Sequence, residues 1–286
     1  MEFINYIRLL LAMKIRNTRT YALLVLQCFI LYLYMKPVVG FSRSVQYPVS
    51  PWSFPFIISN IYFAFLFLLE VIYYFSNVPF MQYVNMYQVI RVGRKRWALG
   101  QMLVIFLQSV FLIAVNYLFS ILWLGRNCEW TAQWGKALHT AALTNAASHY
   151  EFLFGISYDT MQKFTPLGLT AFTFLVGSLV ICFLGLFMFL LSLVWNRMAA
   201  VAGAVILATG IYIVENVHPL LSRKVAMFVP TSWIRVGNIG VKLYDGYVLP
   251  SMQYILIVLL GSIAVMGAII LWRVQKIEFE WTNEDE

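Results

Sequence analysis

The sequence predicts an all-α polytopic membrane protein: six transmembrane helices, an amphipathic N-terminal interfacial helix, and a short helix between spans two and three. Three observations carry this. Hydrophobic residues make up 62% of the 286-residue chain and charged residues only 11%, with a mean hydropathy of +0.78. A soluble chain of this size cannot bury that much apolar surface, so the bilayer must be its solvent. Lys and Arg gather at the ends of the apolar segments rather than on one face, which excludes nucleic-acid binding despite a net charge of +8. The run from Val78 to Trp97 is too polar to span and too apolar for an open loop.

Taken in order, residues 1–19 read as a single interfacial helix. Phe3, Ile4, Ile7, Leu10, Leu11 and Ile15 fall on one face; Asn5, Arg8, Arg16 and Arg19 fall on the other. Glu2 and this amphipathic pattern do not make a cleavable signal peptide, so the segment is expected to be retained. Span one covers about 21–39 and ends at Lys36-Pro37; span two, about 55–75, follows a loop carrying Pro48, Pro51 and Pro55. A helix then begins near Ser76 or Asn77, with Pro79 in its first turn, and covers about 78–91 before Gly93 and its flanking Arg91, Arg94, Lys95 and Arg96. Trp97 marks the return to the membrane.

Span three covers about 97–124. In the next loop Trp130, Trp134 and Leu138 recur every four residues, which predicts a helix anchored on the membrane surface by its tryptophans. Spans four (about 167–195) and five (about 198–214) form a hairpin about Asn196-Arg197. The Pro- and Gly-broken stretch 215–249 is expected to hold surface-lying or partly re-entrant helices, and span six covers about 250–272. The whole of 1–286 is thus one transmembrane domain. Basic residues are denser in the segments that six spans place beside the termini, which puts both termini and the 78–97 stretch in the cytoplasm.

Polar residues inside spans are costly and therefore informative. Asn60, Phe63, Phe67, Glu70 and Tyr74 share a face of span two; Gln101, Ile105, Gln108, Leu112 and Asn116 share one of span three. Two such stripes suggest facing partners or a common cavity, making Asn60, Phe63, Phe67, Glu70, Tyr74, Gln101, Gln108 and Asn116 candidates for a substrate pathway. Glu70 either lines that pathway or pairs with a basic residue of the N-terminal helix or loop. Ala200, Ala204 and Ala208 form a small-residue ridge suited to close packing, within the chain or against a second copy. No phosphate-binding P-loop is present. Cys28 and Cys182 fall in spans, leaving Cys128 without a disulfide framework, and His139, His149 and His218 match no metal spacing. No catalytic residue, metal or cofactor is expected on this chain.

Val89-Ile-Arg-Val-Gly-Arg-Lys-Arg-Trp97 and Val229-Pro-Thr-Ser-Trp233, together with the layout of the whole chain, resemble the permease subunits of ABC-2-type exporters. The first stretch resembles the segment after that family's coupling helix, the second the turn ahead of its last span. The resemblance implies a multi-pass protein of a bacterial plasma membrane whose coupling helix docks on a separate ABC ATPase subunit. Phe80, Met81, Tyr83, Val84, Tyr87, Arg91 and Arg94 would form the docking surface. ATP and Mg would sit on the ATPase, and a second permease copy, identical or different, would complete the pathway. The loop 125–166 is longer than the family's short link. Two other classes stay open: a small secondary transporter or an immunity or accessory membrane protein, and a membrane-embedded enzyme using His139, His149 and Glu151.

Overall fold

The computed structural model describes residues 2–77, 89–243 and 246–276. Helix α1 spans Glu2–Ile15. Asn17 then breaks the chain and caps α2, Thr18–Val45, its side-chain oxygen accepting from the Arg19 amide at 2.9 Å. A 3-10 turn (Pro51–Ser53) leads into α3, Phe54–Ser59. Asn60 caps α4, Ile61–Phe75, accepting from the amides of Tyr62 and Phe63. Helix α5 is Arg94–Leu124. Three short helices follow: α6 (Gly135–Leu143), α7 (Ala146–His149) and α8 (Tyr158–Lys163). Thr165 caps α9, Pro166–Val194, with Pro166 in the first turn, where its missing N–H costs nothing. Asn196 caps α10, Arg197–Asn216. After α11 (Pro219–Ala226), two 3-10 turns and a two-residue hairpin (β1, Lys242–Leu243; β2, Gly246–Tyr247), Ser251 caps α12, Met252–Arg273.

Five of these helices are long and apolar enough to cross a membrane, and α3 with α4 makes a sixth span if the bent pair counts as one. Large apolar side chains such as Val25, Phe29, Leu118, Ile206 and Ile257 stand exposed around the bundle. A water-soluble surface does not tolerate such a girdle, and a bilayer requires it. The chain is a multi-pass membrane protein.

Helix α9 is the axis, packed by α4, α5, α10 and α12, while α2 leans on α5 and α4 and α1 lies on α5. Its glycines explain the closeness to α5. A Cβ at Gly177 would come within 2.8 Å of Ile113 Cδ1, and one at Gly185 within 2.6 Å of Ile105 Cγ2. Two contacts eight residues apart on each antiparallel helix fix both rotation and register. The alanine ridge of α10 is buried inside this chain.

Four expectations are corrected. Helix α2 continues through Pro37 to Val45 instead of ending at Lys36-Pro37; proline forfeits one backbone hydrogen bond there without stopping the helix. The second span is not one helix, because Asn60 turns α3 and α4 through 85°. Residues 1–19 do not form one helix, because α1 stops at Ile15 and Asn17 caps α2, which takes Arg19 into the first span. Trp130 is 71% exposed and Trp134 only 5%, so they anchor no common surface helix. Trp134 Nε1 instead donates to the carbonyls of Met161 and Phe164, and its own carbonyl accepts from Ser50. The 125–166 segment is therefore a folded cap, bound to α3 and to the 230–240 turns. Arg235 is central to that junction, donating to Ser59 O at 2.8 Å and to Glu215 Oε2 at 2.6 Å. Thr160 and Ser59 bind Gly237 from either side.

Replacing Gly185 by Leu is expected to destabilise the protein by about 1–3 kcal/mol, since the side chain has no room against Ile105. Gly261→Ala, where a Cβ meets nothing within 4 Å, should leave unfolding unchanged or raise it slightly. Denaturation in detergent followed by tryptophan fluorescence checks both.

Candidate functional site

The polar groups of α2, α4 and α5 meet in one seam. Asn116 is on the inward face of α5 because Ile105 and Ile113 lock that helix against α9. Its Nδ2 donates to Leu112 O at 2.8 Å, which turns its oxygen outward to accept from Gln27 Nε2 of α2. Glu70 of α4 stands on the other side of the same Gln27 amide. All three residues are buried. A carbonyl only accepts, so Leu112 sets the direction of the whole chain of contacts. With Gln27 donating to Asn116, it offers Glu70 its oxygen, and a carboxyl donating its own proton completes the set. With the amide turned over, Nε2 faces Glu70 instead, as a carboxylate requires, and two oxygens oppose each other at Asn116. Gln27 thus joins both neighbours when Glu70 carries a proton, and can serve only one of them when Glu70 is a carboxylate.

The seam continues to both ends. Toward the cap, Tyr34 donates to Asn60 at 3.1 Å and packs edge-on to Phe63 at 5.2 Å, with Phe67 stacked behind. Asn60 also donates to Leu153 O, so it is cap, break and tether at once. Toward α1, Gln108 and Gln101 are 4% and 1% exposed. Neither carboxamide makes a hydrogen bond among the described residues. The Tyr6 phenol lies beside Gln101, and burial pushes it well above the ordinary tyrosine value. Buried amides with so few partners at this depth are expensive, and the Tyr6 phenol is the polar group nearest to Gln101.

At the last turn of α4, three cations converge. Lys14 Nζ donates to Tyr74 O at 3.3 Å and lies over the Tyr74 ring at 4.7 Å. Arg19 Nη1 donates to Ser76 Oγ at 2.5 Å, and Arg197 Nε to Ser76 O at 2.6 Å. The exposed carbonyls at a helix C-terminus attract cations. Burial, with Arg19 and Arg197 nearby, brings Lys14 down to about 7.

Of the pathway residues, Asn60, Phe63, Phe67, Glu70 and Asn116 thus join this seam in direct contacts, Tyr74 meets Lys14 at the end of α4, and Gln101 and Gln108 face the seam without hydrogen-bond partners by geometry among the described residues. Glu70 meets the Gln27 carboxamide, and no basic residue among the described ones. Gln27 and Tyr34 were missed, although Thr20, Gln27 and Tyr34 recur every seven residues in an otherwise apolar span, a detectable stripe. Phe80, Met81, Tyr83, Val84 and Tyr87 lie outside the described residues. Arg91 is exposed, and Arg94 donates to Gln275 O at 3.2 Å, tying α5 to the end of α12. His139 and His149 each face a tyrosine ring, Tyr158 and Tyr150. Among the described residues no three His, Cys, Asp or Glu side chains gather as a metal site. Comparison with protein-family models, curated proteins and solved structures finds no match for the chain.

Gln27→Leu should cost about 1–3 kcal/mol by stranding both neighbours. Combined with Glu70→Leu, the loss should fall short of the sum by about 0.5–1.5 kcal/mol; a double-mutant unfolding cycle measures this. Lys14 generates a pH dependence. Between about 7 and the ordinary lysine range near 10.4, the unfolded chain holds a proton that the folded chain lacks. Stability should therefore rise with pH across that window and level off below it, and Lys14→Met should flatten the rise in melting temperature.

Proposed function

We propose that the chain is the membrane-spanning permease subunit of an ATP-driven ABC exporter, forming the substrate pathway and coupling to a separate ATPase subunit. In this reading α3 and α4 make one broken span, the six spans leave both termini in the cytoplasm of a bacterial cell, and 78–91 is the coupling helix. One observation carries the proposal. The stretch 78–91 is bracketed by Ser76, held by Arg19 and Arg197, and by Arg94, held to Gln275. A push on it reaches α1, α2, α10 and α12 at once, and Glu70 stands only a turn and a half above Ser76 on the same helix. The polar seam joining α2, α4 and α5 is the element that rearranges as the spans shift. A second permease copy completes the pathway, and ATP and Mg belong to the ATPase.

The buried Glu70 also favours a second reading, a small secondary transporter in which that carboxyl takes up and releases a proton. Glu70→Gln separates the two. An ATP-driven permease should retain transport within a few-fold, because the amide still donates to Gln27, whereas a proton-coupled carrier should lose its gradient-driven flux. Met81→Asp, Tyr83→Asp or Tyr87→Asp should lower transport-linked ATP hydrolysis at least tenfold in the co-purified complex without lowering expression. Undiminished transport by the permease with no ATPase present would overturn the proposal.

A further inference from the structure

Arg19 and Arg197 carry more charge than the end of α4 neutralises. Each uses a single guanidinium nitrogen on Ser76, and a guanidinium has five N–H donors. A helix C-terminus offers about half a negative charge, and Lys14 already lies on its Tyr74 carbonyl. Of the described acidic side chains, Glu70 lies a turn and a half further along α4 and faces the Gln27 amide, Glu215 binds Arg235, and Glu129, Glu151 and Asp159 belong to the cap at the other end of the bundle. Arg197 is exposed and Arg19 half-buried, so their remaining donors open to the surface of the bundle at the level where the membrane-crossing part of α2 begins. From there an open apolar strip runs up α2, lined by Thr18, Tyr21, Ala22, Val25, Leu26 and Phe29.

We propose that Arg19 and Arg197 bind the phosphate of an anionic phospholipid, with an acyl chain laid along that strip of α2. The chemistry selects an anionic lipid over a zwitterionic one, because the described residues place no carboxylate there to receive a choline or ethanolamine cation. The paired guanidiniums match two phosphate oxygens. The bound lipid would clamp α2 to α10 across the end of α4. The inference is independent of the ATPase partner.

Native mass spectrometry of the full chain released from detergent, with phosphatidylglycerol or phosphatidylcholine added, tests it. The wild type should retain phosphatidylglycerol selectively. Each arginine should contribute about fivefold to that selectivity, so Arg19→Gln/Arg197→Gln should lower it roughly twenty-five-fold. Arg126→Gln, at the opposite end, should leave it unchanged. If the double variant does not fold, Arg197→Gln alone, at an exposed position, should still show the fivefold loss. Undiminished selectivity in the folded variants, or equal retention of both lipids by the wild type, overturns the site. Displacement of the lipid by millimolar inorganic phosphate would assign the arginines to a free anion and overturn the lipid.

Discussion

The close approach of α5 to α9 is the contact on which the rest of the structure depends. Gly177 and Gly185 let Ile113 and Ile105 sink against the α9 backbone, and in lipid, where apolar side chains gain little by leaving one apolar medium for another, such packing is what holds helices together. Two knobs eight residues apart leave α5 no freedom to rotate. Its polar side chains must then turn toward α2 and α4 rather than toward lipid, and the polar groups of those helices must turn to meet them. Gln27, Glu70 and Asn116 are neighbours because two glycines are where they are.

The same logic accounts for the asymmetry along the seam. At the cap end, polar groups are fully employed: Asn60 joins Tyr34, Leu153 and the first turn of α4, and Arg235 ties α3 to α10. That end is rigid. At the α1 end, two buried carboxamides make no geometric hydrogen bond among the described residues, and three cations crowd one helix terminus. The seam is thus more fully hydrogen-bonded at its cap end than at its α1 end.

Much of this was legible in the residues. The starts of α9, α10 and α12 follow from long apolar runs opened by Thr165, Asn196 and Ser251, whose side chains cap their first turns. The stripe of α5 was legible because helical spacing survives any packing. What escaped depended on long-range partners. Asn60 reads as one more polar residue in a span until Tyr34 and Leu153 hold it at a break. Pro37 reads as a stop, yet a long helix tolerates it. Trp134 reads as a membrane anchor, but the carbonyls of Met161 and Phe164, some thirty residues on, claim its N–H. Gln27 was overlooked because a single glutamine in an apolar span gains meaning only from what faces it.

Cysteine cross-linking across α5 and α9 tests the central claim most directly. In a background with Cys28, Cys128 and Cys182 replaced by serine, Ile105→Cys and Gly185→Cys are introduced together and the protein is oxidised mildly in native membranes. The two Cβ atoms should lie within disulfide reach, so rapid and near-complete cross-linking is expected, with none for Phe106→Cys paired with Gly185→Cys, since Phe106 is exposed on the outer face of α5. Absence of the first cross-link, or equal formation of the second, would mean that α5 is not locked in the rotation that creates the polar seam.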